Sequence, residues 1–258
     1  MLLTDKTAVV YGAGGSIGGA VARTFAHEGA RVHLVGRTAD TLETVAKDIT
    51  AAGGHAETAV LDALDEAAVE AHLASLDALD ISFNLVTRGD VQGLPLVDLS
   101  VEDFVRPVET GVRTNFITAR AAARRMARSG SGVVLTLDSG SAHGSPMMGG
   151  TGPADAAIDT LVRNLATEQG PHGLRVVGLW AAGVPETLTR EKLAAVDSSM
   201  NLDDAALQGL LANLAGMRMT RRNPTLAEIA ATAAFLASDL AGGITGTFVN
   251  VTGGMVPH

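Results

Sequence analysis

The chain contains no cysteine, which excludes disulfides, a thiolate nucleophile and thiolate metal sites. Aromatic residues make up 3% of it; Tyr11 is the sole tyrosine, and Lys6, Lys47 and Lys192 are the only lysines. Positive charge is also scarce. Nineteen Lys and Arg residues face 28 Asp and Glu, a net charge of −9, which argues against nucleic acid or an anionic membrane as partner. No apolar run reaches transmembrane length, and the opening MLLTDKTAVV lacks a signal-peptide layout, so a cytoplasmic location is expected. The seven histidines form no HxxxH or HxH pair, and no metal site is expected.

What is present is apolar and periodic. With 258 residues and 47% hydrophobic content, the chain can bury a large core as one domain spanning 1–258. Strand-like runs fall at Ala8–Tyr11, Val32–Val35, Ala56–Leu61, Ile81–Val86, Val133–Leu137, Arg175–Leu179 and Thr247–Val251. Amphipathic helices are expected between them, near 17–28, 39–52, 65–78, 101–129, 154–169 and 225–238. Continuous apolar strands alternating with helices imply right-handed parallel crossovers. The expected fold is α/β: a Rossmann-type, doubly wound, seven-stranded, mainly parallel sheet with helices on both faces. Residues 186–220 interrupt the alternation after the sixth strand, on the side where ligands bind in such sheets. They read as a substrate lid or as a helical pair that only packs on the sheet or a neighbouring subunit.

The stretch from Val9 to Ala20 is the strongest local signal. An apolar run leads into Gly12, Ala13, Gly14, Gly15, Ser16, Ile17 and Gly18, and then into a helical pattern. Small residues in a strand–turn–helix let the backbone approach a pyrophosphate at a helix N-terminus.

Several segments together resemble the short-chain dehydrogenase/reductase family over essentially the whole chain. Tyr11 to Gly18 resembles its TGxxxGIG motif, with Ser16 in place of the middle glycine. Leu61-Asp62 resembles the aspartate that touches the adenine, and Asn84 is what remains of the family's NNAG. Ser139 falls where the catalytic serine falls, Gly170 to Val177 is similar to PHGIRVN, and Arg221 to Gly254 is similar to the C-terminal signature. By the same resemblance, Thr151 and Asp155 stand at the tyrosine and lysine of YxxxK, and Gly111 at the supporting asparagine, with Asn115 one turn further on. The resemblance assigns proton donation to that tyrosine, with the lysine lowering its pKa and holding the ribose. Threonine is too weak an acid for that work, and loss of a general acid costs about 10²–10⁴-fold.

Near the expected nicotinamide end remain Ser139, a hydrogen-bond partner for a substrate oxygen or a loop serine; Asp155, a grip on ribose or a cationic substrate, or a helix first-turn aspartate; and His143, an acid, a base or a solvated loop residue. At the end of the second strand an acid would select NAD; here Arg37 and Thr38 follow Gly36, and Arg37 suits a 2′-phosphate. NADP(H) is therefore the expected cofactor, held by Gly12, Gly14, Gly15, Ser16, Ile17, Gly18, Arg37, Thr38, Asp62 and Asn84.

Three functions stay open: reduction of a pre-activated small-molecule electrophile (iminium, enone or quinone-like), a non-redox cyclase, dehydratase or isomerase on the same scaffold, or an inactive NADP-bound subunit. The resemblance implies a homo-oligomer, expected to be a tetramer, with the small faces of Ala119, Ala122, Ala123, Ala156 and Ala157 permitting close helix packing. The basic cluster Arg120, Arg124, Arg125 and Arg128 reads as a helix end that complements its dipole.

Overall fold

Among residues 1–190 and 202–256, which the computed structural model describes, seven short strands and seven longer helices alternate up to the sixth strand, after which two helices precede the last strand. The strands are β1 (Thr7–Tyr11), β2 (Arg31–Gly36), β3 (His55–Val60), β4 (Ile81–Asn84), β5 (Gly132–Asp138), β6 (Leu174–Trp180) and β7 (Thr247–Asn250). They form one sheet in the order β3-β2-β1-β4-β5-β6-β7, every neighbouring pair parallel. The helices are α1 (Ser16–His27), α2 (Ala39–Ala51), α3 (Glu66–Ser75), α4 (Val101–Ser129), α5 (Thr151–Gln169), α6 (Asp204–Met217) and α7 (Leu226–Ala237).

Alternation along the strands builds two cores. From β1, Ala8 and Val10 face Phe25 of α1, Leu42 of α2 and Ala233 of α7, whereas Val9 and Tyr11 face Leu73 of α3, Met126 of α4 and Ile158 of α5. Enclosing a side chain such as Phe25 or Leu42 contributes about 1.5–3 kcal/mol, so burial on both faces, rather than helix propensity, fixes the layers. Strand order reverses between β1 and β4, and the crevice beyond the strands' C-terminal ends at that reversal is where such sheets bind ligands.

Two helical surfaces differ from expectation. Ala119, Ala122 and Ala123 are buried inside the protomer, because α4 packs this face against the sheet and α3. The basic cluster reaches across to α3 instead of serving only its own helix end. Arg120 pairs with Glu66, Arg124 with Glu70 at 2.9 Å, and Arg125 donates to the carbonyls of Leu76 and Asp77 at 3.0 Å. Of 186–220, residues 191–201 lie outside the described residues. The remainder contains a short turn at Pro185–Thr187 and α6, capped by Asp203 accepting from Ala206 N at 2.7 Å. After α6, the buried Arg218 donates to the carbonyls of Ala182 and Gly183 at 2.7 and 2.9 Å, tying this segment to the end of β6.

Candidate active site

A cavity of about 330 Å³ opens at the strand reversal, lined among others by Gly12, Gly14, Gly15, Arg37, Thr38 and Asp62. Its floor depends on Gly12, whose φ is +75°; a Cβ there would lie 2.4 Å from the Leu85 carbonyl oxygen, so a side chain fails on conformation and on space. Gly15 caps α1 without a side-chain hydrogen bond, which leaves the first-turn N–H groups of Ile17 and Gly18 for an anion. Arg37 is exposed and has no carboxylate partner among the described residues. Asp62 shapes the far wall by accepting from Leu64 N at 3.0 Å. A pyrophosphate and an adenosine fit these residues. Asn84 does not line the cavity. It is buried, accepts from Val86 N and donates to Thr118 Oγ1, both at 3.0 Å, and so fixes the end of β4.

At the inner end the cavity is lined by Val86, Thr87 and Thr110. Their chain neighbours Arg88 and Gly111 begin a second network. Arg88 crosses above Gly111, where a Cβ would come 2.7 Å from its Cδ. Its Nη1 donates to Asp155 Oδ1 at 2.7 Å, its Nη2 lies 3.1 Å from Asp90 Oδ1, and its Nε donates to Asp90 Oδ2 at 3.3 Å. Burial alone lowers the Arg88 pKa, but the charges of Asp90 and Asp155 outweigh it and hold the guanidinium above its ordinary value.

Asp155 is fully buried. Besides Arg88 it accepts from Ser139 Oγ at 2.5 Å, Ser139 N at 3.2 Å and Ser141 N at 2.9 Å. Four accepted bonds match the lone pairs of a carboxylate, about four in number. Ser139 Oγ also lies 2.7 Å from Ser141 Oγ; since bonds to carboxylates are the stronger ones, the Ser139 proton points at Asp155 and Ser141 is the donor to Ser139. Thr151, at the start of α5, donates to Asp90 Oδ1 at 2.8 Å and accepts from Gln92 Nε2 at 3.1 Å. His143 sits exposed in the short turn Ser141–His143. Asn115 turns back on its own helix, donating to the Gly111 carbonyl at 2.9 Å.

Behind this network lie Asp138 and Asp159, both buried. Burial first, then the charges of Asp155 and Asp159, push the Asp138 carboxyl well above the usual carboxylate range. Burial likewise raises Asp159. The pair therefore holds a proton to higher pH than an ordinary carboxylate.

The structure thus joins Ser139, Thr151 and Asp155 in one network and leaves His143 at its exposed rim. Sequence reasoning missed Arg88, Asp90, Gln92 and the Asp138–Asp159 pair. The available signal was Gly111, a glycine inside a long helix, which made room for a neighbouring side chain.

A family model described as "Enoyl-(Acyl carrier protein) reductase" matches residues 12–256. The chain belongs to the short-chain dehydrogenase/reductase family. L-rhamnose 1-dehydrogenase (NAD(P)(+)) of Azotobacter vinelandii is 29% identical over 99% of this chain and 98% of its own. The 7alpha-hydroxysteroid dehydrogenase of Escherichia coli is 30% identical over 98% of this chain and 95% of its own. A solved structure of 7 alpha-hydroxysteroid dehydrogenase with NADH and 7-oxo glycochenodeoxycholic acid superposes with a TM-score of 0.84 at 30% identity, covering 99% of this chain and 96% of that one. NAD+-bound xylitol dehydrogenase, at 24% identity, shares the fold with a TM-score of 0.87 over 98% of this chain and all of its own. This family member is an oxidoreductase-type chain with a Rossmann-like sheet. Among its described residues, no helix is long and apolar enough to cross a membrane.

Proposed function

We propose that this family member uses NADP(H) to reduce a small, pre-activated electrophile (an iminium, an enone or a quinone-like compound) rather than a plain ketone. The observation that carries the reading is the absence, among the described residues, of an available proton donor where the family keeps one. Thr151, at the tyrosine position of YxxxK by resemblance, is buried and commits its proton to Asp90. The sole tyrosine, Tyr11, lies in β1, and burial pushes its pKa above the ordinary value. Lys6 pairs with Asp239, Lys47 lies on α2, and Lys192 lies outside the described residues. When bound, the nicotinamide supplies a hydride; the chain supplies orientation through the glycine turn and the Ser139 network.

NADP(H) is favoured over NAD(H) by Arg37, which has no carboxylate partner among the described residues and lines the cavity where an acid would hold the ribose hydroxyls. A charge-assisted contact contributes about 1.5–3 kcal/mol, so Arg37→Ala should weaken NADPH binding roughly tenfold to a hundredfold and leave NADH little changed. Titration of the unmutated protein with both nucleotides tests this; equal affinities would sink it. The same reading takes 186–220 as the substrate lid, a tetramer as the assembly and the cytoplasm as the location. A second reading, an inactive nucleotide-bound subunit, is favoured by one feature, the buried Arg88–Asp155 ion pair at the position where the resemblance puts the family's lysine.

A further inference from the structure

Hydrogen-bond polarity in the network around Ser139, which begins at Arg88 and Gly111 next to the cavity-lining Thr87 and Thr110, is reversed relative to what a carbonyl substrate requires. A carbonyl oxygen needs donors. Ser139 directs its proton to Asp155 and receives one from Ser141, leaving an oxygen lone pair as its free face. Asp155 is saturated and fully buried, so it buttresses Ser139 and meets no ligand. Asp90 differs. It takes three contacts, from Arg88 Nε, Arg88 Nη2 and Thr151 Oγ1, one fewer than its lone pairs of about four, and its side chain remains 18% exposed.

Charge points the same way by a separate route. Among the described residues, the Arg88 guanidinium is shared by two carboxylates, Asp90 and Asp155, so this network carries a net negative charge. The Asp138–Asp159 pair behind it holds a proton to higher pH than an ordinary carboxylate and has Arg163 at 3.5 Å from Asp159, so the excess is that of the two carboxylates on Arg88. An oxyanion formed here would face that excess; a cation would be held by it.

We infer that the substrate is an iminium cation, with Asp90 and the Ser139 oxygen facing its nitrogen, and that Asp90 determines this specificity. The inference rests on the nicotinamide-linked reading above and selects one of its three electrophiles. Its chemistry balances without a proton donor. Hydride adds to the carbon of C=N⁺ and forms the C–H bond; the π pair becomes the nitrogen lone pair, and the cofactor is oxidised by two electrons. The product is a neutral amine, so the missing tyrosine is not needed. Arg88 is a positioning residue: through Asp155 it orients Ser139, and it fixes the free edge of Asp90.

The test is binding calorimetry on the nucleotide-loaded full chain with three ligands of one skeleton: tetrahydroisoquinolinium as the cation, isochroman as its neutral ring-oxygen isostere, and tetralone as the ketone. The cation is expected to bind at least tenfold more tightly than either neutral ligand. Asp90→Asn, which leaves the Arg88–Asp155 pair intact, should erase that preference without changing nucleotide affinity, and Asp90→Glu should keep it. A ketone that binds as well as the cation, a preference that survives Asp90→Asn, or no binding of the cation would each overturn the inference. Failure of the chain to bind NADPH or NADH would instead overturn the broader reading, so the two failures are distinguishable.

Discussion

At Gly111 the absence of a side chain is what admits Arg88, and Arg88 is what allows a carboxylate to sit fully buried at 155. The three residues form one unit. Removing one partner of a buried ion pair costs about 3–5 kcal/mol, so single changes at Arg88 or Asp155 report first on stability. The Asp138–Asp159 pair gives a cleaner test. Its folded-state pKa values lie above the ordinary value of 3.8, so the stability it contributes is full below that pH and is lost as pH rises through the raised values. Asp159→Asn removes one of the two charges. Its melting temperature should fall less between pH 5 and pH 8 than that of the parent, each kcal/mol being worth about 2–4 °C at this size. Parallel pH slopes for the two proteins would contradict the pairing. The sequence identified Ser139, Thr151 and Asp155 because they stand at positions where a family pattern fixes the residue type. It did not show Arg88 or Asp90, which lie in an irregular loop with no periodicity, and Arg88 finds Asp155 67 positions away.

Element boundaries were legible where caps mark them. Ser100 accepts from Asp103 N at the start of α4, and Gly130 closes that helix at φ +73°. Thr225 and Glu228 form a complete capping box on α7. There Arg222 first, then the Thr225 backbone, hold Glu228 down at about 2. Less legible was which face of α4 points outward, since small residues suit a crowded core and a subunit interface equally. With Ala119, Ala122 and Ala123 inside, the outward face of α4 carries Val101, Val105 and Phe116, a stripe at helical spacing. The proposed tetramer is expected to use this stripe. Light scattering in dilute buffer should return a multiple of 26.3 kDa, reduced by Phe116→Glu; a monomer mass for the parent would contradict it.

Across the whole molecule, the parallel seven-stranded sheet follows from continuous apolar strands alternating with helices, and the glycine turn marked one wall of the cavity. That much could be read from pattern alone. The polarity of the inner site could not, because it depends on which of several carboxylates receives each hydroxyl proton, a matter of distances between segments far apart in the chain. The most direct test is NADPH consumption by the unmutated protein against a plain ketone, an enone and an iminium of matched skeleton. Turnover is expected with the iminium and at most slow turnover with the ketone, by a factor on the order of 10²–10⁴ for the missing general acid. Fast reduction of the plain ketone would contradict it.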